Sequence, residues 1–228
     1  GDTVKMMGAA PELDGAFELG EELAKRGIVA SVAHSSGNYD TAYESLNHGF
    51  SDITHIYNAC TSCYKEGVFR RAGTVEAALS DDRFSVQAIS DLVHLPVGVL
   101  RLVYKAKGSD KMYLITDGLE FSAFDMNEGE EFTQKNGVKV VYEDEVMKLA
   151  DRSCLAGSTA NGARLVRNMY KTVGVPLTEA VKMMTLTPAR VIGVDSYKGK
   201  IAEGYDADII LFDESVEVSS VMINGKLA

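Results

Sequence analysis

The stretch Phe84-Ser-Val-Gln-Ala-Ile-Ser90, then Asp91-Leu-Val-His94, then Pro96 to Lys105, then Met112-Tyr-Leu-Ile-Thr-Asp117 reads as strand, polar turn, helix, strand and polar end. The two apolar runs are short and rich in β-forming residues, and a helix-length pattern separates them. That is one strand–helix–strand unit whose polar residues fall where the strands stop.

The same rhythm extends backwards. Val4 to Ala10 is strand-like, and Phe17, Leu19, Leu23 and Ala24 follow on one side of a helix that Gly27 ends. Ile28 to Ala33 is a second strand, Thr41 to Leu46 a helix ending near Gly49, Ile53 to Tyr57 a third strand, and Gly73 to Leu79 a short helix. Five such units in series predict a parallel sheet, and in parallel sheets function gathers at the strand ends. His34 ends the second run, His55 lies in the third, Asp91 and His94 follow the fourth and Asp117 ends the fifth, the arrangement expected of a (β/α) barrel active site. The pattern changes afterwards. Gly137 to Tyr142, within residues 130–146, alternates like a hairpin; Thr159 to Val173 and Leu177 to Met184 read as helices. The end is β again, with Ile209 to Phe212, Val221 to Ile223, and Asn224-Gly225 as a turn.

Composition narrows the function classes. A chain of 228 residues, 46% hydrophobic, can bury the core of one large domain with a small appendage. The formal charge of −10 with no basic cluster argues against nucleic acid and anionic membranes as partners. No apolar run approaches the roughly 20 residues of a membrane span, and the start carries no signal-peptide pattern. Three cysteines cannot all pair, which fits a reducing cytoplasm. Cys60-Thr-Ser-Cys63 has the spacing of zinc and redox pairs, but it opens no helix and has no second pair, so neither role is expected.

Neutral imidazole is a good ligand for zinc, so His34 and His55 on neighbouring strand ends can share one ion. A lone histidine is more often structural; three at successive strand ends shift the reading toward a site. His48, at a helix end, reads as a solvated cap residue. Asp117 can take a proton from water and return it to a leaving amine. Alone it would read as a turn or cap aspartate; beside the histidines it reads as catalytic.

Ala10-Pro-Glu12, Ala33-His-Ser35, Thr54-His-Ile-Tyr-Asn-Ala59, Asp91-Leu-Val-His94, Leu114-Ile-Thr-Asp117 and Leu155-Ala-Gly-Ser158 occur in this order. Together they resemble the N-acetylglucosamine-6-phosphate deacetylases. Thr185-Leu-Thr-Pro-Ala-Arg190 and Gly199 to Asp208 resemble the closing signature of the wider amidohydrolase superfamily. The resemblance implies a fold, α/β, of about strands 4–8 of a TIM-like (β/α) barrel over residues 1–190, with a β-hairpin insertion near 130–146. Residues 191–228 would be the last strands of a small β-sandwich. It implies His34 and His55 as ligands of a divalent metal ion, with Zn2+ expected, and Asp117 as the acid/base. It also implies Asn58, Ala59, Arg70, His94, Leu155, Ala156 and Gly157 as contacts to N-acetylglucosamine 6-phosphate. Asn58 and Ala59 would act through their backbones, His94 near the phosphate, and Leu155 to Gly157 as a loop over the sugar. Arg70 would reach the phosphate, in the family often from a neighbouring subunit of a dimer or tetramer, with Arg71 as the alternative. The implied reaction is removal of the acetyl group to give glucosamine 6-phosphate and acetate. Other amidohydrolase chemistry, on a cyclic amide or another acylated sugar, and a non-catalytic sugar-phosphate-binding fragment are the alternatives.

The sequence departs from the family at Leu92, where glycine is usual, and at Gly118-Leu-Glu120. It also lacks the metal-binding glutamate of an earlier strand; Glu12 matches a later strand end and is not taken as that ligand. These 228 residues alone are therefore expected to have little or no activity.

Overall fold

A computed structural model describes residues 3–122 and 124–228. The chain runs β1 (Met6–Ala9), α1 (Ala16–Lys25), β2 (Val29–Val32), α2 (Tyr39–Ser45), β3 (Phe50–Ile53), a hairpin of β4 (Tyr64–Glu66) and β5 (Phe69–Arg71), α3 (Thr74–Ser80), β6 (Ser85–Ala88), α4 (Val97–Lys111) and β7 (Met112–Leu114). Strands β1-β2-β3-β6-β7 form one sheet in that order, every pair parallel. The expected series of five βα units is present.

Local chemistry explains the elements. In α1 the buried residues Ala16, Gly20 and Leu23 follow helical spacing. Gly20 lets the helix lie on β3: a Cβ there would sit 2.4 Å from the His48 carbonyl oxygen and 2.6 Å from the Phe50 ring. The core joins Phe50, Ile53, Phe84, Val86, Leu100, Val103 and Met112 to Leu165, Met169 and Met183 of the later helices. Each such side chain contributes about 1.5–3 kcal/mol on burial.

The sheet is strongly curled. Gln87 Nε2 on β6 lies 3.3 Å from Met6 Sδ on β1, and the Tyr113 hydroxyl on β7 lies 4.0 Å from it. In a flat sheet strands three and four places apart would stand roughly 14 and 19 Å from each other. The side chains of Met6, Gln87 and Tyr113 therefore meet across a concave face.

Four expectations need correction. The third strand is Phe50–Ile53, not 53–57, because His55, Tyr57 and Ala59 take positive φ and turn the chain away. The hairpin near 130–146 is part of a four-stranded antiparallel sheet of β8 (Glu131–Thr133), β9 (Lys139–Glu143), β10 (Val146–Leu149) and β11 (Leu155–Ser158). Residues 155–157, expected in a loop, are thus in a strand. The helical stretch after residue 159 is α5 (Gly162–Arg167) followed by a wider π turn over Asn168–Val173.

Helices α6 (Leu177–Met184) and α7 (Leu186–Val191) pack against α4 and β7. The chain closes with a three-stranded antiparallel sheet of β12 (Ile209–Phe212), β13 (Val218–Ile223) and β14 (Lys226–Leu227). Asn224 and Gly225 both have positive φ, as the turn signal requires. Of the expected sandwich, this single sheet is what the described residues show.

Candidate active site

His34 and His55 lie two residues beyond β2 and β3; Asp91 and Asp117 lie three beyond β6 and β7. The parallel topology brings all four to one edge of the sheet. The backbone there is unusual. His34 (φ 51°), His55 (32°), Leu92 (72°) and Asp117 (49°) adopt the left-handed region without being glycine. Each such residue costs on the order of 1–2 kcal/mol, and such residues cluster at functional sites. Leu92 illustrates the cost, since its φ is one that favours the glycine usual at that position.

The two imidazoles converge. His34 Nε2 and His55 Nε2 are 3.0 Å apart, with ring centroids 4.9 Å apart. Two nitrogens bound to one tetrahedral zinc ion stand about 3.3 Å apart, so this donor pair fits two positions of such a site. His55 is buried and His34 exposed. Burial pushes the His55 ring below its ordinary pKa; the nearby Asp117 carboxylate opposes this and His34 adds to it. Burial therefore favours the neutral form of the His55 ring, the form that can ligate a metal. Its Nδ1 is buried without a partner among the described residues. No group of three or more His, Cys, Asp or Glu side chains is arranged to hold an ion among those residues.

Asp91 fixes His94. Its Oδ2 lies 2.7 Å from His94 Nδ1, and its Oδ1 accepts from the backbone N–H of Val93 (3.0 Å) and of His94 (2.9 Å). Burial pushes the Asp91 carboxyl up, but these hydrogen bonds more than reverse it and leave it below the usual range. With Nδ1 donating to the carboxylate, His94 keeps Nε2 as an acceptor. The Asp-x-x-His spacing was a signal for this pair that function assignment by histidines alone passes over.

Strand β11 reaches Asp117 directly. The Ser158 N–H donates to the Asp117 carbonyl at 2.9 Å, and Ser158 bridges Gly118 in parallel. Gly157 has φ 127°, and a Cβ there would stand 2.9 Å from the Asp117 carbonyl oxygen and 3.0 Å from Leu119 Cγ. Only glycine allows this approach, which puts the Leu155–Gly157 segment beside the aspartate. Asn58 spends its side chain on the His55 and Ile56 carbonyls (3.2 and 3.4 Å) and its N–H on His55 (2.9 Å). Ala59 is exposed at φ 48°.

Glu12 serves the loop after His34. Its carboxylate accepts from Ser35 Oγ (2.8 Å), Ser36 N (2.6 Å) and Ser36 Oγ (3.0 Å), which occupies both oxygens. Arg70 and Arg71 lie on the exposed β4–β5 hairpin. Arg71 pairs with Glu66 at 2.7 Å and lies over Phe69, whereas Arg70 has no ion pair among the described residues. No hydrogen bond joins either arginine to the strand-end cluster among those residues. His48 is more than a solvated cap: it stacks on Phe17 at 4.2 Å and meets Glu21 at 2.7 Å. Cys60, Cys63 and Cys154 are all unpaired thiols.

Comparison with known proteins gives this geometry a family. The Amidohydrolase family model matches residues 93–228. The N-acetylglucosamine-6-phosphate deacetylase of Haemophilus influenzae is 32% identical over 226 residues, 99% of this chain and 57% of that protein. The N-acetylgalactosamine-6-phosphate deacetylase of Escherichia coli O157:H7 is 30% identical over 226 residues, with the same coverage. The structure of a mutant N-acetyl-D-glucosamine-6-phosphate deacetylase from Mycobacterium smegmatis, in complex with N-acetyl-D-glucosamine-6-phosphate, superposes with a TM-score of 0.90 at 28% identity. That match covers 99% of this chain and 58% of the other. The chain thus spans little more than half the length of the relatives it matches. It belongs to the amidohydrolase family and, within it, is N-acetylglucosamine-6-phosphate deacetylase-like.

Proposed function

We propose that the full-length protein hydrolyses the acetamide of N-acetylglucosamine 6-phosphate to glucosamine 6-phosphate and acetate. The observation that carries this reading is the 3.0 Å convergence of His34 and His55 beside Asp117 at neighbouring strand ends. The five parallel strands are read as strands 4–8 of an eight-stranded barrel over residues 1–190, and residues 191–228 as part of a β-sandwich. Residues outside this chain would complete both, together with the remaining metal ligand.

His34 and His55 would hold a divalent ion, zinc by the nature of the donors. The ion would supply Lewis acidity, polarising the acetamide carbonyl and acidifying the attacking water. Asp117 takes the proton from that water and returns it to the departing amine. His94, oriented by Asp91, meets the substrate through Nε2. Asn58, Ala59 and the Leu155-Ala156-Gly157 strand line the sugar. Arg70 binds the phosphate with charge-assisted hydrogen bonds, contributed across a homo-oligomer interface in a dimer or tetramer. The unpaired cysteines support a cytoplasmic setting. Among the described residues no helix is long and apolar enough to cross a membrane.

A second reading is the galacto epimer of the substrate, because the Escherichia coli O157:H7 relative is named for it and is nearly as similar. The test is acetate release from both hexosamine 6-phosphates by the metal-loaded full-length protein. Release from either, abolished by chelation and reduced at least about a hundredfold by Asp117→Asn, supports the reading. No release from either, or near-normal turnover by the variant, refutes it.

A further inference from the structure

One layer below the strand-end cluster the concave face of the sheet is polar and buried. Asp52 on β3 is fully buried. Its Oδ2 accepts from Ser31 Oγ on β2 at 2.7 Å and from Gln87 Nε2 on β6 at 2.7 Å, and its Oδ1 accepts from the Tyr113 hydroxyl on β7 at 3.0 Å. Four adjacent strands therefore meet at one carboxylate. Those are the strands that carry the site: Ser31 precedes His34 by three residues, Asp52 precedes His55 by three, Gln87 precedes Asp91 by four and Tyr113 precedes Asp117 by four. At about 3.3 Å per residue the junction lies roughly 10 Å beneath the cluster. A side branch climbs from it, since Thr54 Oγ1 lies 2.7 Å from Ser31 Oγ and Ser31 gives its proton to Asp52. Thr54 is the residue before His55.

An apolar layer would fill this space at lower cost, because a buried carboxylate loses its hydration and is weak evidence for stability. Burial pushes the Asp52 carboxyl up to about 6 against the pull of its three donors. What the carboxylate does supply is directional: its hydrogen bonds are satisfied only when the four strands hold one relative register. Hydrophobic contacts tolerate sliding; this junction does not.

We propose that Asp52 is a positioning residue, which sets the relative heights of β2, β3, β6 and β7 so that His34 and His55 converge beside Asp117 and the Asp91–His94 pair stands at the same sheet edge. The inference rests on the proposed hydrolase reading for its consequence, but not for its structural content.

The experiment uses the full-length protein with Asp52→Leu, Asp52→Asn, Tyr113→Phe and, as a control, Val86→Ala, a core truncation on β6 that leaves the junction intact. Two quantities are read well below each melting temperature: kcat and KM for the hexosamine 6-phosphate, and the ring-nitrogen NMR signals of His34 and His55 in the metal-free protein. Asp52→Leu is expected to lower kcat at least tenfold with KM within threefold, and to shift both histidine signals. Tyr113→Phe is expected to do the same more weakly, and Asp52→Asn to restore much of the loss by keeping a polar group at the junction. Val86→Ala is expected to lower the melting temperature without either change. If Asp52→Leu does not fold, Tyr113→Phe and Asp52→Asn decide. Unchanged kcat and histidine signals in the Asp52 and Tyr113 variants overturn the inference, as does loss of kcat in all four variants in proportion to melting temperature. If the wild type has no turnover, the hydrolase reading fails, and the histidine signals still decide the role of Asp52.

Discussion

Replacing Gly157 by alanine tests whether β11 must touch Asp117. The added Cβ would lie 2.9 Å from the Asp117 carbonyl oxygen, 3.0 Å from Leu119 Cγ and 3.2 Å from Leu119 Cδ2. The Leu119 side chain can swing away, but the carbonyl belongs to the backbone of the residue that would move the proton. Ordinary contact would need about 0.5 Å more room. The backbone at φ 127° also suits glycine and resists any larger residue, at a cost of roughly 1–3 kcal/mol. Two responses are open. The protein keeps the geometry and loses that stability, or it relieves the clash by pushing β11 and Asp117 apart, breaking the 2.9 Å Ser158-to-Asp117 hydrogen bond. A displacement on the order of 1 Å at a reacting group costs up to about a hundredfold in rate. The expected result is a fall in unfolding free energy of about 1–3 kcal/mol by denaturant titration, with kcat reduced ten- to a hundredfold and KM changed less. A variant with wild-type stability and kcat within twofold would refute the claim that this close approach is required.

The pH dependence of stability should carry the signature of Asp52. Its folded pKa of about 6 is above the ordinary 3.8, so the folded state holds its proton longer than the unfolded chain and stability falls as pH rises from about 4 to 6. The fall is on the order of 3 kcal/mol; Asp52→Asn should remove it in denaturant titrations at the two ends of that window, and an unchanged slope would count against the burial. Asp91 has the opposite sign: its carboxyl is depressed, so its stabilising effect is present above the unfolded value near 3.9 and is lost as pH falls through the lower folded value. Asp91→Asn should raise KM severalfold by freeing the His94 ring, and an unchanged KM together with an unchanged His94 NMR tautomer would show that the pairing is idle. Arg70→Ala should raise KM for the phosphorylated sugar at least tenfold and leave the unphosphorylated sugar unaffected. Arg71→Ala, whose partner is Glu66, should change neither by more than threefold; the reverse order would reassign the phosphate contact.

The sheet was legible because apolar runs of strand length alternate with helical spacing, and that pattern is local. Two of its polar ends were legible for the same reason: His34 and Asp117 interrupt apolar runs at the point where a parallel strand must stop. The error at β3 is instructive. Ile53-Thr-His-Ile-Tyr57 has the composition of a short strand, and composition cannot reveal that His55 and Tyr57 within it, and Ala59 after it, take positive φ. That conformation is dictated by where the site must sit, not by residue preference. Leu155 to Ser158 failed for a related reason, since a short glycine-containing segment becomes a strand only through its partner β10. The Asp52 junction was illegible because its members are spread over residues 31 to 113 and each looks like an ordinary polar residue until the sheet curls.

The carboxylates around the cluster divide the labour, and the division bears on the remaining ligand of the proposed metal site. Glu12 stands at a strand end and carries the right chemistry, yet both of its oxygens already accept hydrogen bonds from Ser35 and Ser36. Those bonds more than offset burial and hold its carboxyl below the usual range. Hydrogen bonds to a charged group are worth about 1.5–3 kcal/mol each. Turning Glu12 toward His34 and His55 would forfeit three of them and release the turn that sets His34 at φ 51°. Asp91 is likewise spent on His94 and two backbone N–H groups, and Asp52 on three neighbouring strands. Asp117 differs: it is exposed, and its charge is felt at His55. The carboxylates that hold the scaffold are saturated, and Asp117 is the exposed one whose charge is felt at His55, as the proposed acid/base role requires. In the proposed metal site, a third ligand drawn from Glu12, Asp91 or Asp52 would break these hydrogen bonds, so the proposal takes that ligand from another group.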